Sequence, residues 1–229
     1  MWKTEQRTSL LRQLYVLNRR FIDHLLEDCN DDPSASPCIG FLPQLRTLDA
    51  RAMHEVCATP FTLYYLPFND ATYWEEAAAR CNANGVVNPS DGRTGEQARH
   101  ITKLTLFLAW HVACTDTASA RLLFGMTSGT LRFLRQAQVA TLSDLAMQVA
   151  PLLQPRWPAN PFFWPDLLRA AGHDSVRLQA TRLLGAQLLA ADMQCAPSVR
   201  PSPRARPVVL RMTDVAIRSG TAGSSPASV

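Results

Sequence analysis

The apolar residues of this chain recur at helical spacing over most of its length, and that period constrains the fold more than any single motif. Leu10, Leu11, Leu14, Leu17, Phe21, Ile22 and Leu25 share one side of a helix predicted from about Thr8 to Asp28. Arg12, Arg19, Arg20 and Asp23 fall largely off that stripe, and Asn30-Asp31-Asp32-Pro33 ends the helix. Further helices are predicted from near Pro43 and from near Asp49, with Thr47 or Asp49 as a cap and Leu48, Ala52, Met53 and Val56 inward. Asn69-Asp70 caps a short helix running from Ala71 to about Cys81.

Residues 82–95 are turn formers throughout and mark the clearest internal boundary. Beyond it, helices are predicted for about Thr94 to Cys114, Thr117 to Phe124 and Ser128 to Gln138. Another follows Thr141 with Ser143 as its cap, and a last one spans about Asp174 to Asp192. Ile101, Leu104, Leu108, His111 and Val112 are placed on one buried face. Val176, Ala180, Leu183, Leu184 and Leu188 are expected to point inward.

Two stretches break the helical period. Thr59 to Phe68 is aromatic, partly β-branched and bounded by prolines, so it reads as an extended segment or short edge strand. Pro151, Pro155, Pro158, Pro161 and Pro165 force irregular chain in the second half.

The two halves also align with each other. Phe41-Leu42 matches Phe133-Leu134, and Thr47-Leu48 with Ala52-Met53 matches Thr141-Leu142 with Ala146-Met147. Tyr73-Trp74 matches Phe163-Trp164, and a long amphipathic helix precedes each block. This predicts an all-α bundle of two repeated helical modules with short extended aromatic segments, a pseudo-dimer within one chain. The modules span 1–82 and 96–195, joined by a linker at 83–95 and followed by a tail at 196–229. The tail is rich in Pro, Ser, Gly and Arg and cannot bury enough apolar surface to offset chain entropy, so it is expected to be disordered. Met212 to Ser228 resembles the product of a reading frame running through a bacterial transfer-RNA gene, which would make the tail dispensable. The alternative is a basic arm using Arg200, Arg204 and Arg206.

Charge narrows the function classes. Five of the 23 Lys and Arg and one of the 19 acids lie in the tail, leaving 18 of each sign in 1–195. A neutral body argues against non-specific phosphate binding by its whole surface. The one basic stretch of the body is the first helix, with Lys3, Arg7, Arg12, Arg19 and Arg20. These arginines are the candidate DNA contacts, and the competing reading is a solvated polar face. Phe61, Tyr64, Tyr65 and Phe68 carry no Lys or Arg between them, so they suit a hydrophobic joint or partner surface better than base stacking. The six cysteines include no CxxC pair, and the nearest zinc candidates, His24, Cys29 and Cys38, are loosely spaced. No apolar run approaches membrane-spanning length and no signal peptide is visible, so a soluble cytoplasmic protein is expected.

The module resembles the flagellar transcriptional regulator FlhD, a small helical family that dimerises. Leu122-Leu123-Phe124-Gly125-Met126 carries the turn of the family pattern, and Thr141-Leu142-Ser143-Asp144-Leu145-Ala146 carries part of its later stretch. Leu152-Leu153 sits where the extended segment begins, and Ala58 to Asp70 is similar to the segment that closes the module. The resemblance covers about 15–82 and 100–170. It implies a helical, dimer-like regulatory or adaptor module.

Catalytic signals are sparse. His111 and Cys114 are one helical turn apart, yet nothing in sequence supplies an orienting group or an oxyanion site, so a packed core histidine is expected. Gly125 to Thr130 lacks the lysine and preceding strand of a phosphate loop and reads as a helix C-cap followed by an N-cap. Glu75-Glu76 reads as a dipole-complementing pair in a first helical turn. The expectation is a non-enzymatic regulator or adaptor with no cofactor or metal, acting through protein contacts or self-association and able to take DNA as a further partner. The alternative is a cytoplasmic accessory component of a bacterial secretion or conjugation apparatus.

Overall fold

A computed structural model describes residues 2–31, 40–84 and 95–195. Most of the predicted linker and the whole tail lie outside the described residues, as does Cys38. The fold is all-α. Its helices are α1 (Trp2–Asp31), α2 (Leu42–Arg46), α3 (Ala50–Cys57), α4 (Ala71–Asn84), α5 (Glu96–Thr115), α6 (Thr117–Phe124), α7 (Ser128–Gln136), α8 (Val139–Val149), α9 (Phe163–Ala170) and α10 (Ser175–Gln194). One continuous apolar core draws buried side chains from every one of them.

Local chemistry sets five of the ten described helix starts. Asp49 accepts from the Ala52 N–H at 2.7 Å, Asp70 from Tyr73 at 3.0 Å and Asp174 from Arg177 at 2.9 Å. Each carboxylate satisfies a donor that the first turn leaves open. Asp116 caps α6 through the amides of Ala118 and Ser119, and Thr127 caps α7. Gly125 ends α6 at φ +73°, where a Cβ would press on Leu189. Ser143 caps nothing. The chain turns straight out of α7, α8 starts at Val139, and Ser143 lies inside it. Glu75 and Glu76 fall in the second turn of α4, because that helix begins at Ala71.

The two extended segments meet. β1 (Tyr64–Tyr65) and β2 (Gln154–Pro155) pair antiparallel, Tyr64 opposite Pro155 and Tyr65 opposite Gln154. Pro155 has no N–H, which keeps the ladder short. The Arg156 N–H continues it to the Leu63 carbonyl at 2.9 Å, and the Thr62 N–H reaches the Leu123 carbonyl at 3.0 Å.

Packing across this joint is crossed. Phe41 of the first half stacks on Trp164 of the second at 4.1 Å, and Phe133 of the second lies against Trp74 of the first at 6.3 Å. Likewise α3 packs on α9, and α4 packs on α8. The two indoles make the same bond. Trp74 Nε1 donates to the Pro67 carbonyl at 2.8 Å, and Trp164 Nε1 to the Arg156 carbonyl at 2.7 Å.

α10 lies on this joint. Gly185 is at its point of closest approach, where a Cβ would collide with the rings of Phe61 and Phe163. Leu178, Thr181, Gly185 and Leu189 are therefore the buried face. Val176, Ala180 and Leu183 point out, opposite to the sequence expectation. The helix carries apolar residues on both sides, so periodicity alone does not distinguish them. The missing side chain of Gly185 decides which side can approach two phenyl rings.

Candidate functional site

α1 and α5 run antiparallel against each other. Arg20 Nη1 contacts His100 Nε2 at 2.6 Å, and at the other end the cation of Arg7 helps hold the Asp116 carboxyl below its usual range, after the larger effect of the Ser119 hydroxyl and amide. The Arg20 guanidinium can only donate, so His100 Nε2 is the acceptor of this contact. One turn along each helix from that contact, Val16 and Leu104 are both partly open to solvent. Arg12, Val16 and Arg20 follow at i, i+4 and i+8 on the exposed side of α1. His100, Lys103 and His111 are exposed on α5.

Of the sequence candidates, Arg7, Arg12 and Arg20 are exposed. Arg19 is committed to Asp23 one turn on, at 3.0 Å, and that hydrogen bond raises its pKa. Sequence reasoning does not reach the α5 residues, because only the antiparallel packing brings them beside α1. His111 is exposed, which corrects the core-histidine expectation. Leu104 shares that open side, while Ile101, Leu108 and Val112 face the core. Cys114 is exposed as well.

The aromatic candidates are placed elsewhere. Phe61, Tyr64 and Phe68 are fully buried and Tyr65 is half-buried, so they form the joint and offer no partner surface. The Tyr64 hydroxyl bonds Thr105 of α5 at 2.6 Å, and burial drives its pKa far up. Burial also pushes Tyr65 up to about 12 and the Cys57 thiol up to about 12. These are interior groups held in their neutral forms.

Two polar side chains stitch the chain into the joint. Asn18 donates to the carbonyls of Cys57, Thr59 and Phe61 and accepts from the Leu63 N–H at 3.0 Å. Arg156 is buried and donates to the Thr62 carbonyl at 2.9 Å, the Thr62 hydroxyl at 3.0 Å and the Phe124 carbonyl at 2.7 Å. Burial lowers its pKa to about 10, with Asp192 opposing that shift. Asp192 also accepts from Trp157 Nε1 at 2.8 Å, a residue held at φ +48°. Neither Asn18 nor Arg156 carries a functional signal in sequence, and their positions explain why. Both side chains are spent inside the joint, Asn18 on backbone groups and Arg156 on two carbonyls and the Thr62 hydroxyl.

A cleft of about 400 Å³ opens between the α2–α3 turn and the end of α9, lined by Gln44, Asp49, Leu48, Leu168, Arg169 and His173. Among the described residues no three His, Cys, Asp or Glu side chains gather as a metal site, and no helix is long and apolar enough to cross a membrane. Comparison with protein-family models, curated proteins and solved structures gives no match for the chain.

Proposed function

We propose that this chain is a non-catalytic helical regulator, built as a single-chain counterpart of a dimer of helical modules, that contacts nucleic acid through α1. The crossed Phe41–Trp164 and Phe133–Trp74 pairs support the pseudo-dimer reading. The charge pattern of α1 carries the nucleic-acid reading. Residues 2–20 hold Lys3, Arg7, Arg12, Arg19 and Arg20 against one acid, Glu5, whereas 21–31 hold Asp23, Glu27, Asp28 and Asp31 and no Lys or Arg. A helix dipole favours acids at the N-terminal end and bases at the C-terminal end. That effect is confined to the end turns, where Lys3, beside Glu5, is the only base of α1, so the dipole does not account for Arg7, Arg12 and Arg20, while Arg19 pairs with Asp23. The exposed Arg7, Arg12 and Arg20 suit an anionic partner, and the exposed Lys103 on α5 extends the basic surface.

Titration of the full chain with labelled duplex DNA at several salt concentrations tests this. Affinity should fall steeply with salt. The triple variant Arg7→Ala, Arg12→Ala, Arg20→Ala should lower the magnitude of the log–log slope by roughly 3, about 0.9 for each phosphate that is no longer neutralised. Absence of binding at low salt, or binding that the triple variant leaves unchanged, would leave an adaptor with a protein partner as the better reading.

A further inference from the structure

The cleft where α2 and α3 meet α9 has an apolar floor and a polar rim. Ala52, Leu168 and Ala171 are buried at its base, and Leu48 is half-buried beside them. Its volume of about 400 Å³ falls within the roughly 300–1,000 Å³ of small-ligand sites. The rim carries charge of both signs. Asp49 stands on the wall made by the α2–α3 turn, and Arg169 and His173 stand on the wall made by the end of α9. The walls do not pair with each other. Asp49 is held on its own side by the Ala52 N–H at 2.7 Å, and Arg169 on its side by Asp166 at 3.5 Å, a carboxylate that Arg177 also takes at 2.7 Å. Two guanidinium groups on one carboxylate leave that wall a positive charge in excess. The side chains of Gln44 and His173 make no hydrogen bond among the described residues. The turn that carries His173 is fixed. Gly172 takes φ +80°, a Cβ there would meet Ala52 at 3.2 Å, and its N–H donates to the Glu55 carboxylate at 2.8 Å.

We propose that this cleft binds a free α-amino acid with an apolar side chain. Its ammonium faces Asp49, its carboxylate faces Arg169 and His173, and its side chain lies over Leu48, Ala52 and Leu168. The planar fork of a guanidinium matches a carboxylate. Charge selects the class of ligand. A plain carboxylic acid sets its anion against the uncompensated Asp49, and a plain amine sets its cation against the wall with excess positive charge. A zwitterion answers both walls at once, and an apolar remainder is what the floor accepts. The two walls come from different halves of the chain, so the bound molecule bridges them. The proposal is independent of the nucleic-acid reading of α1, which lies on other residues.

Isothermal titration of the full chain with L-leucine tests it. Saturable binding, millimolar or tighter, is expected. Isocaproate, which is leucine without its ammonium, and isoamylamine, which is leucine without its carboxylate, should each bind at least about tenfold more weakly, a loss of roughly 1.4 kcal/mol. Asp49→Asn keeps a cap for the Ala52 N–H but removes the charge, and Arg169→Gln removes the cation. Each should weaken L-leucine by at least about tenfold with the helicity of the free chain unchanged. Both sites are exposed, so either variant serves if the other misfolds. No saturable binding of L-leucine or L-phenylalanine up to tens of millimolar, equal binding of either leucine fragment, or binding that both variants leave unchanged would overturn the proposal.

Discussion

The two sides of the joint do the same job with different chemistry. On one side Asn18 of α1 binds the backbone of residues 57–63 with a neutral amide, and on the other Arg156 binds the backbones at Thr62 and Phe124 with a buried cation. The crossings differ in the same way. Between α4 and α8 the polar link is Gln148 Nε2 to Cys81 Sγ at 2.9 Å. Between α3 and α9, Glu55 accepts the N–H of Gly172, just past α9, at 2.8 Å, and α10 adds Arg182 to the Glu55 carbonyl. One crossing is neutral and the other uses charge. The two crossings are therefore held with different chemistry. The geometry asks for donors at certain carbonyls, and an amide or a guanidinium meets that demand.

The comparison is tested most severely at the two indoles. Trp74→Ala and Trp164→Ala each remove a fully buried ring and its bond to a carbonyl, and each should cost roughly 3–5 kcal/mol in denaturant unfolding. Costs differing by more than about 2 kcal/mol, the spread seen at fixed chemistry, would show that the two corners are not equivalent.

The next effect separates amide from guanidinium. Asn18→Leu leaves the Leu63 N–H and several carbonyls unpartnered and should cost about 3 kcal/mol. Arg156→Met orphans the Thr62 and Phe124 carbonyls but also removes the cost of burying a cation, so about 2 kcal/mol is expected. Chemical denaturation of the pair measures the order. If Arg156→Met costs more than Asn18→Leu, the buried charge contributes more than its hydrogen bonds explain.

The smallest effect is in pH. The Gly172 N–H holds the Glu55 carboxyl below its usual 4.5, with smaller help from Arg51 and Arg182. A depressed folded-state pKa contributes stability that is present above the unfolded value and lost as pH falls through the folded value. Glu55→Gln should therefore lower the thermal midpoint near neutral pH, and the gap to wild type should close below about pH 4. Gln148→Leu, at the neutral crossing, should lower it by a similar amount at every pH. A gap for Glu55→Gln that stays constant down to pH 3 would mean that charge is irrelevant at that crossing.

The sequence by itself determined most of the elements, but not α9, which carries Pro165 in its first turn, where no N–H is needed, in a stretch expected to be irregular. The 3.6-residue period placed the helices, and Asp49, Asp70, Asp174 and Gly125 fixed several ends because a short carboxylate or a left-handed glycine acts over three or four residues. The sequence aligns Phe41 with Phe133 and Trp74 with Trp164, but the Phe41–Trp164 and Phe133–Trp74 contacts came only from the fold. Tertiary structure alone decided which faces are open. α10 is apolar on both sides, and only the approach of Gly185 to Phe61 and Phe163 turned Val176 and Leu183 outward. The Phe61 to Phe68 segment reads equally well as a surface or an interior, and its pairing with a strand 90 residues away buried it. His111 and Leu104 share a helix with true core residues, yet the position of α1 left them at the rim. In each case local spacing defines a face, and burial of that face depends on partners far away in the chain.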